Sequence, residues 1–129
     1  MGESLKALRD YAVNAAQIAG LPTHRVNGLR LAIDEYATNI IGYGYHDAGL
    51  EGDIYVTATI DDRWLILSLY DTALAFDPTV RPDPTDLDAP LEERQIGGLG
   101  IKLVRDNVDE WRYERRGNQN CNHFILRRE

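Results

Sequence analysis

Apolar residues in the early part of the chain recur at helical spacing. From Ser4, a candidate N-cap, Leu5, Leu8, Ala12, Ala15 and Ile18 share one face until Gly20-Leu21-Pro22 interrupts the run. A second helix is predicted after Thr23, another N-cap candidate, with Leu29, Ala32, Ile33, Tyr36, Ala37 and Ile40 in one stripe and an end near Gly42 to Gly44. The period then changes. Ile54, Val56, Ala58 and Ile60 alternate with polar residues, and beyond Asp61-Asp62 the stretch from Trp64 to Tyr70 is almost continuously apolar, which predicts two neighbouring antiparallel strands. From Asp77 to Gln95 the chain is rich in Pro and Asp without periodicity, as a functional loop or lid would be. A helix is predicted from Gly98 to about Asn107, burying Leu99, Leu103 and Val104. Trp111 and Tyr113 then alternate on one strand, Gly117-Asn118 turns the chain, and Phe124 and Leu126 alternate on the last. This order predicts an α+β sandwich with helices on one face of a sheet.

A chain of 129 residues fits one domain that buries about two-thirds of its unfolded surface without disulfides. Hydrophobic and charged fractions of 43% and 27% are ordinary for a soluble protein, and no apolar run nears the roughly 18 residues that span a bilayer. Met1-Gly2-Glu3-Ser4 does not read as the start of a signal peptide, so a cytoplasmic location away from membranes is expected. The single Cys121 reads as a buried, inert thiol, and no Cys/His cluster has zinc spacing. A net charge of −7 argues against a nonspecific nucleic-acid partner, so any bound phosphate must be held locally.

Four features carry candidate chemistry. On the second helix Glu35 and Asn39 sit together on one flank of the apolar stripe, with Asp34 on the opposite flank. A carboxylate at a stripe's edge is partly desolvated, which suits Glu35 to take a proton, and Asn39 offers a neutral amide oxygen suited to Mg²⁺. Taken alone, both also fit ordinary half-exposed polar residues. Asp71 ends an apolar strand, where its carboxylate can accept from an exocyclic amine such as adenine's, or simply form a turn. Gly97-Gly98-Leu99-Gly100 puts flexible backbone at a helix start, where free amides and the helix dipole attract anions. Lys102 and Arg105 lie one turn further on. His24, His46 and His123 have no phosphoacceptor-like helical context and are read as turn or satisfied surface residues.

The order of these features resembles a family. Leu31-Ala32-Ile33-Asp34-Glu35-Tyr36-Ala37-Thr38-Asn39-Ile40-Ile41, then Asp71 through Phe76-Asp77-Pro78, then Ala89-Pro90-Leu91-Glu92-Glu93-Arg94-Gln95-Ile96-Gly97-Gly98-Leu99-Gly100-Ile101 resemble successive nucleotide boxes of the RsbW-like anti-sigma factor serine/threonine kinases. These belong to the GHKL, or histidine-kinase-like, ATPases. The resemblance implies a Bergerat (GHKL) ATP-binding fold, a two-layer α+β sandwich with a mixed sheet and helices on one face. Residues 1–129 would form a single domain, with an ATP lid at about 77–97. It implies Glu35 as catalytic base, Asn39 as Mg²⁺ ligand, and Asp71 as adenine-binding aspartate. It places Ala73, Phe76, Arg94, Gly97, Gly98, Leu99, Gly100 and Lys102 with Asn39 and Asp71 around ATP. The implied activity is phosphorylation of a Ser or Thr on a STAS-domain anti-sigma factor antagonist, with a sigma factor as a second partner and a homodimer as the assembly.

Two positions depart from the pattern. Asp71-Thr72-Ala73 stands where the family has Asp-x-Gly, so a methyl group is expected to crowd the adenine or to forbid a positive φ. Relatives also carry an edge strand ahead of the first helix, where this sequence opens on the helix itself, so an open sheet edge is expected. Two functions follow: a protein kinase, or a non-catalytic GHKL-fold module that sequesters a sigma factor or antagonist with weak or no nucleotide binding. A detached histidine-kinase ATP domain is a third reading.

Overall fold

The alternating run after the second helix becomes the edge strand β1 (Ile54–Ile60), and the apolar run beyond it becomes β2 (Trp64–Asp71). These come from a computed structural model whose described residues are 2–80 and 98–128. Asp61 turns the chain between the two strands, its Oδ1 accepting from the backbone N–H groups of Arg63 at 2.9 Å and Trp64 at 2.8 Å. A second hairpin joins β3 (Glu110–Arg116) to β4 (Gln119–Arg127) around Gly117, whose φ of +58° lies in the left-handed region that tight hairpins require.

The sheet order is β1-β2-β4-β3, and every neighbouring pair is antiparallel. This corrects the expectation of a mixed sheet. The helical crossover after β2 delivers β3 in the direction of β2, but the hairpin at Gly117 folds β4 back between them. Being central, β4 buries Cys121 and Ile125 as well as Phe124 and Leu126, so its burial is more continuous than simple alternation predicts.

Helix α1 spans Gly2–Ile18, so Ser4 lies inside it rather than at its cap. Ala12, Ala15, Ala16 and Ala19 are buried while Ile18 is 64% exposed, which removes Ile18 from the predicted stripe. Helix α2 spans Thr23–Asn39. Its N-cap is Pro22, not Thr23, and the Pro22 carbonyl accepts from the N–H groups of Arg25 and Val26. The predicted stripe from Leu29 to Ile40 is buried throughout.

Beyond Asn39 the chain does not stop near Gly42 to Gly44 but continues as a π-helical segment, Ile40–His46. Burial overrides the low helix propensity of glycine here, because Tyr45 turns inward, donates to the Asp53 carbonyl at 2.9 Å and accepts from Thr72 N–H at 2.7 Å.

Helix α3 (Gly98–Asn107) lies against α2 in antiparallel fashion, and glycines allow the close approach at both ends. A methyl at Gly28 would overlap the Asn107 side chain, and one at Gly100 would overlap the Asn39 amide. Beneath the helices, Leu65, Leu67 and Leu69 of β2 and Phe124 and Leu126 of β4 are 0% exposed. Truncating Phe124 to alanine removes enough buried surface to cost about 3–5 kcal/mol. The opposite face carries Ser68, Tyr70 and His123. Of the Asp77–Gln95 loop, Pro78–Val80 forms a 3₁₀ turn, tied to α3 by Arg105 donating to the Pro78 carbonyl at 2.9 Å. The rest of the expected lid lies outside the described residues.

Candidate functional site

Period two decides where Asp71 points. It ends β2 in phase with Leu65, Leu67 and Leu69, so its side chain enters the layer under the helices and is only 2% exposed. Its Oδ1 accepts from Ala73 N–H at 3.0 Å and from Asn120 Nδ2 at 2.9 Å. Its Oδ2 is buried with no hydrogen-bond partner among the described residues. Burial raises the Asp71 carboxyl above its ordinary value, against the pull of Asn120, Ala73 and the Arg115 charge. Leaving such an atom unpaired costs free energy unless a ligand donor completes it.

Asp71 and Asn39 line one cavity of about 220 Å³. Its wall is largely apolar, with Tyr36, Ile40, Tyr43 and Ile101 among the lining residues, and Ala73 and Phe76 line it as well. An acceptor in an apolar pocket suits a flat ring bearing an amine. Among the described residues the Asn39 side chain makes no hydrogen bond, and its amide packs against the Cα of Gly100 at the start of α3. Its oxygen is a fitting neutral ligand for Mg²⁺. No group of three His, Cys, Asp or Glu side chains is gathered to hold a metal among the described residues, so a cation here would take most of its oxygens from phosphate and water.

Glu35 lies one turn before Asn39, half-buried, and its backbone carbonyl also approaches Gly100, but its side chain does not line the cavity. Asp34, on the other flank, is engaged by Arg9 at 3.0 Å. Lys102 stands outside the lining with its Nζ 2.8 Å from Asp106. Gly98 and Leu99 open α3 as expected. Arg94 and Gly97 lie outside the described residues.

The Ala73 methyl is accommodated. Among the described residues no residue other than glycine has a positive φ, so Ala73 is not strained. Its methyl fills the space beside Gly44, where a second Cβ would come within 2.8 Å, while Leu74 N–H donates to the Gly44 carbonyl at 3.0 Å.

Sequence reasoning missed Asn120 and Asn122. Asn120 Nδ2 donates to Asp71 and to the carbonyls of Ala73 and Leu74, at 3.2 and 3.1 Å, so it fixes both the carboxylate and the turn after it. Asn122 Oδ1 accepts from Trp111 Nε1 at 3.1 Å and from the Tyr36 hydroxyl at 3.4 Å. The available signal was polar side chains in phase with the buried Phe124 and Leu126. Elsewhere, His123 is satisfied on both ring nitrogens, by Ser68 at 2.7 Å and Glu114 at 3.1 Å. Cys121 is a buried free thiol, its pKa raised by that burial.

Helices packed on one face of an antiparallel sheet, with a buried carboxylate and an amide facing one cavity, define a GHKL-like ATPase domain. The sequence matches the histidine kinase-like ATPase domain family over residues 2–127, and the chain belongs to that family. It is 32% identical over 98 residues to serine/threonine-protein kinase BtrW of Bordetella bronchiseptica, an alignment covering 76% of this chain and 66% of that protein. The histidine kinase domain of the Erythrobacter litoralis EL346 blue-light activated histidine kinase matches it with a TM-score of 0.54 and 19% identity. That match covers 95% of this chain and 64% of the other, and carries the fold. The chain thus spans about two thirds of the length of each relative. No helix among the described residues is long and apolar enough to cross a membrane.

Proposed function

We propose that the chain is an ATP-dependent protein serine/threonine kinase, an anti-sigma factor that phosphorylates a STAS-domain antagonist in a partner-switching pathway. The observation that carries the nucleotide part is the buried Asp71, which lines the cavity shared with Asn39 and whose Oδ2 has no hydrogen-bond partner among the described residues. The kinase part is supported by likeness to BtrW, named a serine/threonine-protein kinase.

In this reading Asp71 accepts from the adenine amine, and the backbone amides opening α3 receive the phosphates. Asn39 would hold Mg²⁺, which when bound neutralises phosphate charge. Glu35 takes the proton from the attacking Ser or Thr hydroxyl as its oxygen bonds to the γ-phosphorus and ADP leaves. A sigma factor as second partner, a homodimer and a cytoplasmic location belong to the same proposal.

The test is titration with Mg-ATP, followed by incubation with labelled ATP and a candidate STAS-domain protein. Label should appear on a Ser or Thr of that protein and vanish with Glu35→Ala. ATP binding without transfer would leave the second reading, a non-catalytic binding module. The position of Glu35 outside the cavity lining favours that reading.

A further inference from the structure

The cavity lining includes a further polar group, Asn122, that the proposed ATP contacts do not use. Asn122 is 1% exposed and lines the cavity with Asp71. Its amide orientation is dictated by chemistry. Trp111 Nε1 can only donate, so the atom 3.1 Å from it must be the amide oxygen, and the Tyr36 hydroxyl donates to the same oxygen. All hydrogen bonds of Asn122 among the described residues end on that oxygen, which leaves Nδ2 with two N–H donors and no acceptor. On Asp71 the situation is reversed, since its Oδ2 is an acceptor without a donor among the described residues.

The strand register brings the two together. Asp71 pairs with Asn120 and Leu69 with Asn122, so Asp71 and Asn122 are diagonal neighbours on the same face, a relation that puts side chains about 7–8 Å apart or closer. A ring edge between them meets an acceptor on one side and a donor on the other.

We propose that Asn122 is a specificity-determining residue that donates through Nδ2 to the ring nitrogen beside the exocyclic amine received by Asp71. The inference rests on the ATP reading above and deepens it. A 6-aminopurine presents a donor next to an acceptor, complementary to Asp71 and Asn122. A 6-oxopurine presents an acceptor next to a donor, so its oxygen faces the Asp71 carboxylate and its ring N–H faces the Asn122 N–H. Both contacts become repulsive. The pair therefore selects the base through what it rejects as well as through what it binds. Asn122 depends in turn on Trp111 and Tyr36, which hold its oxygen and so aim its nitrogen.

The experiment compares ligands on the unaltered chain by calorimetry with Mg²⁺ present. ATP is set against 1-deaza-ATP, in which a C–H replaces that ring nitrogen while the amine remains, and against inosine triphosphate. Loss of one buried hydrogen bond should weaken 1-deaza-ATP by about tenfold, and inosine triphosphate should bind more weakly still. In Asn122→Leu, shown to be folded by circular dichroism, ATP and 1-deaza-ATP should bind alike. Equal binding of ATP and 1-deaza-ATP to the unaltered chain overturns the role of Asn122 while leaving ATP binding standing. A preference for ATP that persists in folded Asn122→Leu overturns it as well. Should the variant not fold, the ligand comparison on the unaltered chain decides. Failure of the unaltered chain to bind any of the three overturns the ATP reading and this inference with it.

Discussion

Asn120 and Asp71 face each other across the β2–β4 pairing, with Asn120 Nδ2 2.9 Å from Asp71 Oδ1. That bond, with the one from Ala73 N–H, commits one carboxylate oxygen to the fold and leaves the other without a partner among the described residues. A site of this kind needs its acceptor held still, and here the holding groups are a side chain of the neighbouring strand and a backbone amide two residues on.

The same carboxylate sets opposite pH trends for folding and binding. Because burial raises its folded pKa, the folded state binds this proton more tightly than the unfolded chain. The resulting stability is full below the unfolded value of 3.8 and is lost as pH rises through the folded pKa. Only the ionised form serves well as acceptor, so under the proposed role ATP affinity should rise over the same window. Asp71→Asn should weaken ATP by about 10–100-fold and flatten that pH dependence. Its stability relative to the parent should grow with pH, as melting at several pH values would reveal. A difference that shrinks with pH contradicts the assignment.

Glu35 and Asn39, one helical turn apart, should separate cleanly in kinetics. Glu35→Ala is expected to lower phosphoryl transfer by about 10²–10⁴-fold with the Kd for Mg-ATP nearly unchanged. Asn39→Ala should instead raise that Kd. Calorimetry beside single-turnover transfer checks both, and unchanged turnover in Glu35→Ala removes it as the base.

Gly100 shapes the site through Asn39. A methyl at Gly100 would overlap the Asn39 amide, so Gly100→Ala should displace that side chain and lose as much Mg-ATP affinity as Asn39→Ala. The double variant should lose little more than either alone, since residues acting through one contact are not additive. Fully additive losses in the binding cycle would show that Gly100 acts by another route.

Gly44 and Ala73 form a size-matched pair. Gly44→Ala would bring two methyl carbons to 2.8 Å, an overpacking expected to cost about 1–3 kcal/mol in chemical denaturation. Adding Ala73→Gly should restore most of the loss. If the double variant is no more stable than Gly44→Ala, the two positions are not coupled.

By itself the sequence determined much of the frame. Helical and strand periods placed α2, α3 and the four strands, because a residue's spacing alone decides which face it can bury. It also singled out Asp71 and Asn39, since a carboxylate ending an apolar strand and an amide beside a helix stripe are already set in phase with the core. What local pattern could not contain was how distant segments pair. The strand order, the π-helical continuation through Gly42 and Gly44, and the exposure of Ile18 were decided only when burial compared whole elements. Asn120 and Asn122 acquired their roles in the same way, because a polar residue on a strand has no assignable partner until the register sets Asp71, Trp111 and Tyr36 around it.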